Sequence, residues 1–134
     1  MKYKDIQIGL IEELTHKLTS DDVRRFVELT GDDNRLHTDN EFASKTSYKN
    51  KVVHGMLGAS FISTIIGTKL PGDGALWFSQ NIEFLLPVRE GDTLTIRAEV
   101  IKKNDRTQVV ELQTDIYNQN KKKVTEGIAK VKVV

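Results

Sequence analysis

Hydrophobic and polar residues alternate through most of the chain after residue 75. Leu94, Ile96, Ala98 and Val100 are separated by polar residues, and the same period of two recurs between residues 107 and 118. This period is typical of strands that have one face in water. The pattern therefore predicts four long strands, which are Ala75–Pro87, Thr93–Lys103, Thr107–Asn118 and Val124–Val134.

Three short polar breaks separate these segments. They are Glu90–Asp92, Asn104–Asp105 and Asn118–Asn120. Asn, Asp and Gly favour tight turns, and their spacing is that of hairpins. The strands are therefore expected to form a mostly antiparallel sheet.

The residues before this region have a different pattern. Leu10–Leu18 is interpreted as a short strand. Apolar residues at helical spacing then predict a helix that is capped by Thr19 or Ser20 and ends at Gly31. A polar, turn-prone segment follows, and a second short helix is expected to begin near residues 38–39.

Val52–Leu70 is the most apolar stretch of the chain. It is too interrupted by glycine and polar residues for a membrane span, so it predicts a helix that is buried on nearly every side. Helices followed by long strands indicate an α+β fold, in which the sheet wraps this helix. About five strands would leave two open sheet edges, and pairing of edges between two copies predicts a homodimer.

Composition restricts the class of protein further. The chain has 134 residues, which favours one domain over residues 1–134, and its formal net charge is +1. No basic field favours nucleic acid or a membrane surface. The absence of cysteine excludes a thiol nucleophile and thiolate metal ligands. No signal peptide is recognised at the N-terminus, so a cytoplasmic location is expected.

Two histidines lie where a loop meets a predicted helix, whereas His16 is interpreted as a surface residue. A turn can bring His37 close to Asp32, and an imidazole beside a carboxylate can take up and release a proton. The alternative is a turn and a helix cap with a solvated His37. His54 is expected to have a capping or hydrogen-bonded structural role, although it can also be catalytic.

Gly55 is predicted at the start of the buried helix. Its backbone N–H can bind a ligand carbonyl there, where the helix dipole favours negative charge, or the glycine can serve close packing alone. No spacing resembles a metal site, so none is expected. No phosphate-binding loop for a nucleotide is present either.

The segment Phe26–Asp39 closely resembles the hydratase motif of MaoC-like proteins. Val52–Leu57, Leu70–Gly72, Gln80–Pro87 and Glu90–Asp92 continue the match in order. The resemblance covers nearly the whole chain and is greatest to the short (R)-specific 2-enoyl-CoA hydratases. It implies a hot-dog fold, a dimer with sites at the interface, and reversible syn hydration of a trans-2-enoyl thioester.

The resemblance also implies roles for individual residues. Asp32 and His37 would be the catalytic pair that holds one water, and the Gly55 N–H would bind the thioester carbonyl. Ser63 matches a serine linked to activity, either behind the reacting groups or in the acyl pocket. Asn34 would brace the turn.

One residue departs from the family motif, which usually has proline where this chain has Arg35. Proline would stiffen the loop that carries His37. Arginine loosens that restraint or adds a charge near the pocket mouth, where it can contact a phosphate of the carrier.

Four functions follow in order of preference. The first is hydration of enoyl-CoA, with the CoA thioester as substrate and no cofactor. The second is dehydration of a 3-hydroxyacyl group on acyl carrier protein. A thioesterase fits the histidine motif less well. The contrasting class is an acyl-thioester binder without catalysis, or a subunit that needs a partner chain.

Overall fold

A computed structural model describes all 134 residues. Short helices precede the long strands in the chain, as the α+β prediction requires. A single 3₁₀ turn, Tyr3–Asp5, comes before the first strand. The remaining elements are β1 (Ile11–Lys17), α1 (Ser20–Thr30), α2 (Arg35–Thr38), α3 (Asn40–Ser44), α4 (Gly55–Thr68), β2 (Leu76–Gln80), β3 (Glu83–Phe84), β4 (Thr93–Asn104), β5 (Val109–Tyr117) and β6 (Lys123–Lys132).

The six strands form one antiparallel sheet in the order β1-β4-β5-β6-β2, and β3 also pairs with β6. The hairpins at Asn104–Asp105 and Asn118–Asn120 are therefore confirmed. The predicted hairpin at Glu90–Asp92 is wrong, because β3 and β4 are not paired with each other. This turn carries the chain from β3, which pairs with β6, across the sheet to β4, which pairs with β1 and β5. The alternation of residues could not reveal which strands become neighbours.

The predicted strand Ala75–Pro87 is two strands, because the chain bends at Asn81. The side-chain oxygen of Asn81 accepts a hydrogen bond from Ile128 N at 2.7 Å, in place of a continuous ladder. Gly127 allows this approach, since a Cβ there would collide with the Asn81 carbonyl oxygen. The break redirects the segment after β3 toward the start of α4.

The ends of α1 lie where the sequence predicts them. Thr19 caps the helix, its hydroxyl accepts from Asp22 N, and the Asp22 carboxylate accepts from Thr19 N. Gly31 ends the helix in the left-handed conformation, with φ 76°. This turn separates α1 from the polar segment that follows.

Helix α4 packs its apolar face on the sheet, and Ile62, Ile65 and Ile66 belong to the same core as Leu94 and Ile116. The prediction that α4 is buried on nearly every side is wrong. A single sheet covers only one side of the helix, so the opposite stripe is exposed, which comprises Met56, Ser60, Ser63, Thr64, Gly67 and Thr68.

The sheet has two open edges, at β1 and β2. On β2 the side chains of Leu76 and Phe78 are 59% and 54% exposed. None of the helices has the length and apolarity that crossing a membrane requires.

Candidate active site

The loop between α1 and α2 presents Asp32. Its backbone N–H donates to the Thr30 hydroxyl at 3.2 Å, and its carboxylate accepts from Asn34 N at 3.3 Å. Asn34 in turn caps α2, because its side-chain oxygen accepts from Leu36 N at 2.9 Å. Asn34 therefore joins the loop to the helix that carries His37, although its side chain does not line the cavity described below.

His37 lies on α2, a single turn of helix that the sequence pattern did not predict. Its Nδ1 is 2.5 Å from the carbonyl oxygen of Val52. A carbonyl can only accept, so Nδ1 carries the hydrogen and, in the neutral ring, Nε2 carries the lone pair. The same peptide segment is fixed by a second bond, from Val52 N to the Leu36 carbonyl at 3.1 Å. His37 therefore has the tautomer of a general base that acts through Nε2.

The residue before α4, His54, is 4% exposed. Its Nε2 donates to the backbone carbonyl of Asp32 at 2.9 Å, whereas its Nδ1 is buried without a partner. The ring stacks on His37 at 3.9 Å between centroids and lies tilted against Phe26 at 4.8 Å. The predicted capping role is wrong, because the His54 side chain makes no hydrogen bond to the N–H groups at the start of α4. The predicted hydrogen bond is present, and the role of His54 stays a prediction.

Asp32, His37 and His54 each place one polar atom within 4.8 Å of the others. A carboxylate and two imidazoles can also hold a divalent metal ion. Two of the four ring nitrogens here carry hydrogens that are bonded to carbonyl oxygens. The other nitrogen of each ring stays free, which suits a proton or a metal ion alike. The absence of a metal site therefore stays a prediction.

Gly55 is the first residue of α4, and its backbone N–H makes no hydrogen bond within the chain. An ideal Cβ at this position would lie 2.6 Å from Cε1 of Phe84. The ring of Phe84 therefore lies against the helix start, and any side chain at residue 55 would displace it. The arrangement leaves a donor at the positive end of the helix dipole.

These groups border a cavity of about 830 Å³ that extends between α4 and the sheet. Its floor is closed by Leu94, Ile116 and Val124, whose side chains are fully buried. Other apolar residues form its walls and rim, among them Met56, Val88, Leu85, Leu86 and Phe84. The lining is therefore mostly apolar, and Asp32, His37, His54 and the Gly55 N–H belong to its polar part.

Three predicted residues lie outside this cavity. Ser63 is on the exposed stripe of α4, eight residues beyond Gly55, and does not line the cavity, although Met56 and Ser60 of the same stripe do. Arg35 does not line the cavity either, and its guanidinium lies 4.3 Å over the ring of Phe42. His16 is not a free surface residue, because its Nε2 bonds Asp22 at 2.8 Å and its ring stacks on Phe61 at 4.3 Å.

One supporting residue was missed by sequence reasoning. Arg89 donates to three carbonyl oxygens of one loop, those of Tyr48 (2.9 Å), Asn50 (2.6 Å) and Lys51 (3.1 Å). This loop leads directly to Val52, the acceptor for His37. A single arginine before a turn gives no sequence signal of these backbone bonds.

Comparison with known proteins agrees with this geometry. The MaoC like domain family matches residues 5–122 of the chain. The (R)-specific enoyl-CoA hydratase of Aeromonas caviae is 34% identical over 133 residues, which are 99% of each chain. The solved structure of the A. caviae (R)-hydratase involved in PHA biosynthesis superimposes with a TM-score of 0.94 over 98% of this chain and 99% of that one.

A second relative is more similar over a shorter segment. The 3-hydroxybutyryl-CoA dehydratase of Methylorubrum extorquens is 41% identical over 98 residues, which are 73% of this chain and 62% of that protein. The matched segment thus spans less than two thirds of that relative. The fold is the hot-dog fold that the sequence resemblance implied. The chain belongs to the MaoC-like family.

Proposed function

We propose that this chain is an (R)-specific enoyl-CoA hydratase, which adds water reversibly to a trans-2-enoyl-CoA and forms an (R)-3-hydroxyacyl-CoA. One observation carries the proposal. A ring nitrogen of His37 and a carboxylate oxygen of Asp32 lie within 4.8 Å of each other in the lining of a mostly apolar cavity, and the hydrogen bond at Nδ1 leaves the Nε2 of His37 free. The names of the A. caviae and M. extorquens relatives support the same chemistry.

Asp32 and His37 are spaced to share one water molecule. Two hydrogen bonds to the same water, at its tetrahedral angle, hold their partners roughly 4.5 Å apart. Asp32 and His37 each place a polar atom within 4.8 Å of the other, which is compatible with that separation. Such a water would lie between an acceptor on the imidazole and an acceptor on the carboxylate.

The reaction then follows from acid–base chemistry. His37 Nε2 takes a proton from the water as its oxygen bonds C3 of the enoyl group. The electron pair of the C2–C3 double bond moves to C2 and the thioester carbonyl, which becomes an enolate. Return of a proton from the pair to C2 completes the addition of one water. The shared position of both groups on one side of the cavity supports syn addition.

Gly55 would stabilise the enolate. Its free N–H lies at the N-terminus of α4, where the helix dipole favours developing negative charge. A hydrogen bond that tightens as charge develops lowers the barrier more than one that binds substrate alone. The CoA thioester is the substrate in this scheme, and no cofactor takes part.

We also infer that two copies pair through the open edge of β2. An edge strand can pair antiparallel with its own copy about a twofold axis, and this joins two sheets into one. The exposed Leu76 and Phe78 support this edge as the interface. A Phe78→Asp variant should elute as a monomer in light-scattering chromatography, whereas an unchanged dimer would exclude this edge.

The proposed activity is tested by loss of the ultraviolet absorbance of crotonyl-CoA, followed by chiral analysis of the product. The chain should form the (R)-3-hydroxy product, and both His37→Ala and Asp32→Asn should abolish it. His16→Ala is the matched control, because that histidine is remote from the cavity. Longer enoyl-CoA and carrier-protein substrates form the second arm. No turnover of any of them would contradict an enzymatic function. The cytoplasmic location stays a prediction.

A further inference from the structure

His54 touches both members of the proposed catalytic pair. Its Nε2–H holds the backbone carbonyl of Asp32 at 2.9 Å, and its ring face lies on the ring of His37 at 3.9 Å with an interplanar angle of 30°. Its Nε2 is also 3.9 Å from the Asp32 carboxylate. One side chain thus connects the α1–α2 loop to α2 at the point where the two reacting groups meet.

The chemistry of the ring explains why a histidine serves here. Donation to a carbonyl requires hydrogen on Nε2, so in the neutral ring Nδ1 carries a lone pair. That lone pair is buried and has no partner. A buried polar atom without a partner is costly, and proteins keep few of them. A packing role alone would be met by an apolar ring without this cost, so the donor on Nε2 is the feature that requires histidine.

We propose that His54 is the positioning residue of the catalytic pair. Its hydrogen bond fixes the loop so that the Asp32 carboxylate faces the shared water, and its ring fixes the plane of His37 so that Nε2 faces the same water. The two contacts act together, because each restrains one of the two groups. This inference rests on the proposed hydratase function, and it assigns to His54 no contact with the substrate.

Three variants separate the two contacts. His54→Gln keeps an N–H donor for the Asp32 carbonyl and removes the ring, His54→Phe keeps the ring and removes the donor, and His54→Ala removes both. Misplacement of a reacting group by an ångström can cost about 100-fold in rate. We expect kcat on crotonyl-CoA to fall by about that factor in His54→Ala and by less in the two partial variants, with KM nearly unchanged in all three.

Thermal unfolding of each variant checks that it folds, and His16→Gln is the control for replacement of a histidine elsewhere. Values of kcat within threefold of the native value in the folded variants would overturn the proposal. So would a raised KM at unchanged kcat, because that result indicates substrate binding instead of positioning.

A second measurement does not depend on turnover. Long-range ¹H–¹⁵N spectra of the native protein should show hydrogen on Nε2 of His54 and on Nδ1 of His37, and in His54→Ala the His37 signals should broaden or shift to a mixture of tautomers. A His54 ring with hydrogen on Nδ1, or His37 signals that do not change in His54→Ala, would overturn the proposal. If the native protein has no activity on any enoyl thioester, the proposed function fails, and these spectra still decide the role of His54.

Discussion

The hydrogen bond from His37 Nδ1 to the carbonyl oxygen of Val52, at 2.5 Å, determines which nitrogen of His37 faces the cavity. Val52 is 15 residues away in sequence, at the end of a loop that has no regular structure. The orientation of the proposed base therefore depends on how firmly that loop is held. Arg89 supports this loop, since it binds three of the loop's carbonyl oxygens.

Replacing Arg89 by lysine should lower kcat while the chain remains folded. Lysine keeps the charge, but its single ammonium cannot reproduce the planar fork that reaches three carbonyls. The expected loss is roughly 10- to 100-fold, because the Val52 carbonyl would no longer hold His37 in one orientation. Steady-state kinetics on crotonyl-CoA measures it.

Arg97→Lys is the matched control, because Arg97 pairs only with glutamates on the sheet, at Glu13 and Glu99. Its activity should equal that of the native protein. Equal activity of Arg89→Lys and the native protein would show that the loop holds Val52 without the arginine.

The space between Gly58 of α4 and the cavity floor should control the length of acyl chain that the protein accepts. Gly58 lies one turn after Gly55 and lines the cavity, and an ideal Cβ there meets Leu94 Cδ1 at 3.6 Å. Alanine at residue 58 therefore fits, whereas valine would fill the space between α4 and the floor. Gly58→Val should retain turnover of crotonyl-CoA and lose at least about 10-fold in kcat/KM on eight-carbon enoyl-CoA.

Gly67→Val is the control for a glycine replaced in the same helix, because a Cβ at Gly67 meets nothing within 4 Å. It should lower activity on both chain lengths equally or not at all. A Gly58→Val variant that keeps its long-chain activity would show that the acyl chain does not pass Gly58.

Local signals in the sequence were sufficient for the elements and for part of the site. Thr19 and Gly31 define α1 through capping chemistry that acts over a few residues, and Asp32 and His37 are close because one turn joins them. The stack of His54 on His37 was not predictable, since it joins residues 17 apart through tertiary packing. The same reason explains the missed role of Arg89 and the mistaken hairpin at Glu90–Asp92.

Arg35 should tolerate proline. It is the first residue of α2, its N–H makes no hydrogen bond within the chain, and Asn34 before it has ψ 127°, which suits a residue before proline. Arg35→Pro also removes the contact with Phe42, so the comparison is with Arg35→Ala, which removes that contact alone. The proline variant should be more stable than the alanine variant by about 0.4–1 kcal/mol in urea unfolding. Lower stability of the proline variant would mean that α2 does not begin at this residue.

Asp22 should make the stability of α1 depend on pH. Burial alone would raise the pKa of its carboxyl, but hydrogen bonds from the Thr19 backbone and from His16 outweigh this effect, and the pKa is lowered. A lowered pKa in the folded state adds stability that is complete above the unfolded value of about 3.9 and is lost as pH falls through the folded value.

Asp22→Asn should therefore cost about 1 kcal/mol near neutral pH, and the difference from the native protein should begin to shrink below roughly pH 4 and disappear only below the lowered pKa of Asp22. Urea unfolding across this range measures it. Asp21→Asn is the control, because Asp21 is exposed and pairs only with the exposed Arg24. A difference for Asp22→Asn that persists at low pH would show that the charge does not stabilise the helix.

The most direct test of the account is turnover of crotonyl-CoA by the native protein and by His37→Ala. The account predicts that the native protein consumes the conjugated thioester and forms the (R)-3-hydroxy product, and that His37→Ala, folded to the same extent, does neither. Equal turnover by the two proteins would contradict the role of His37 as the base.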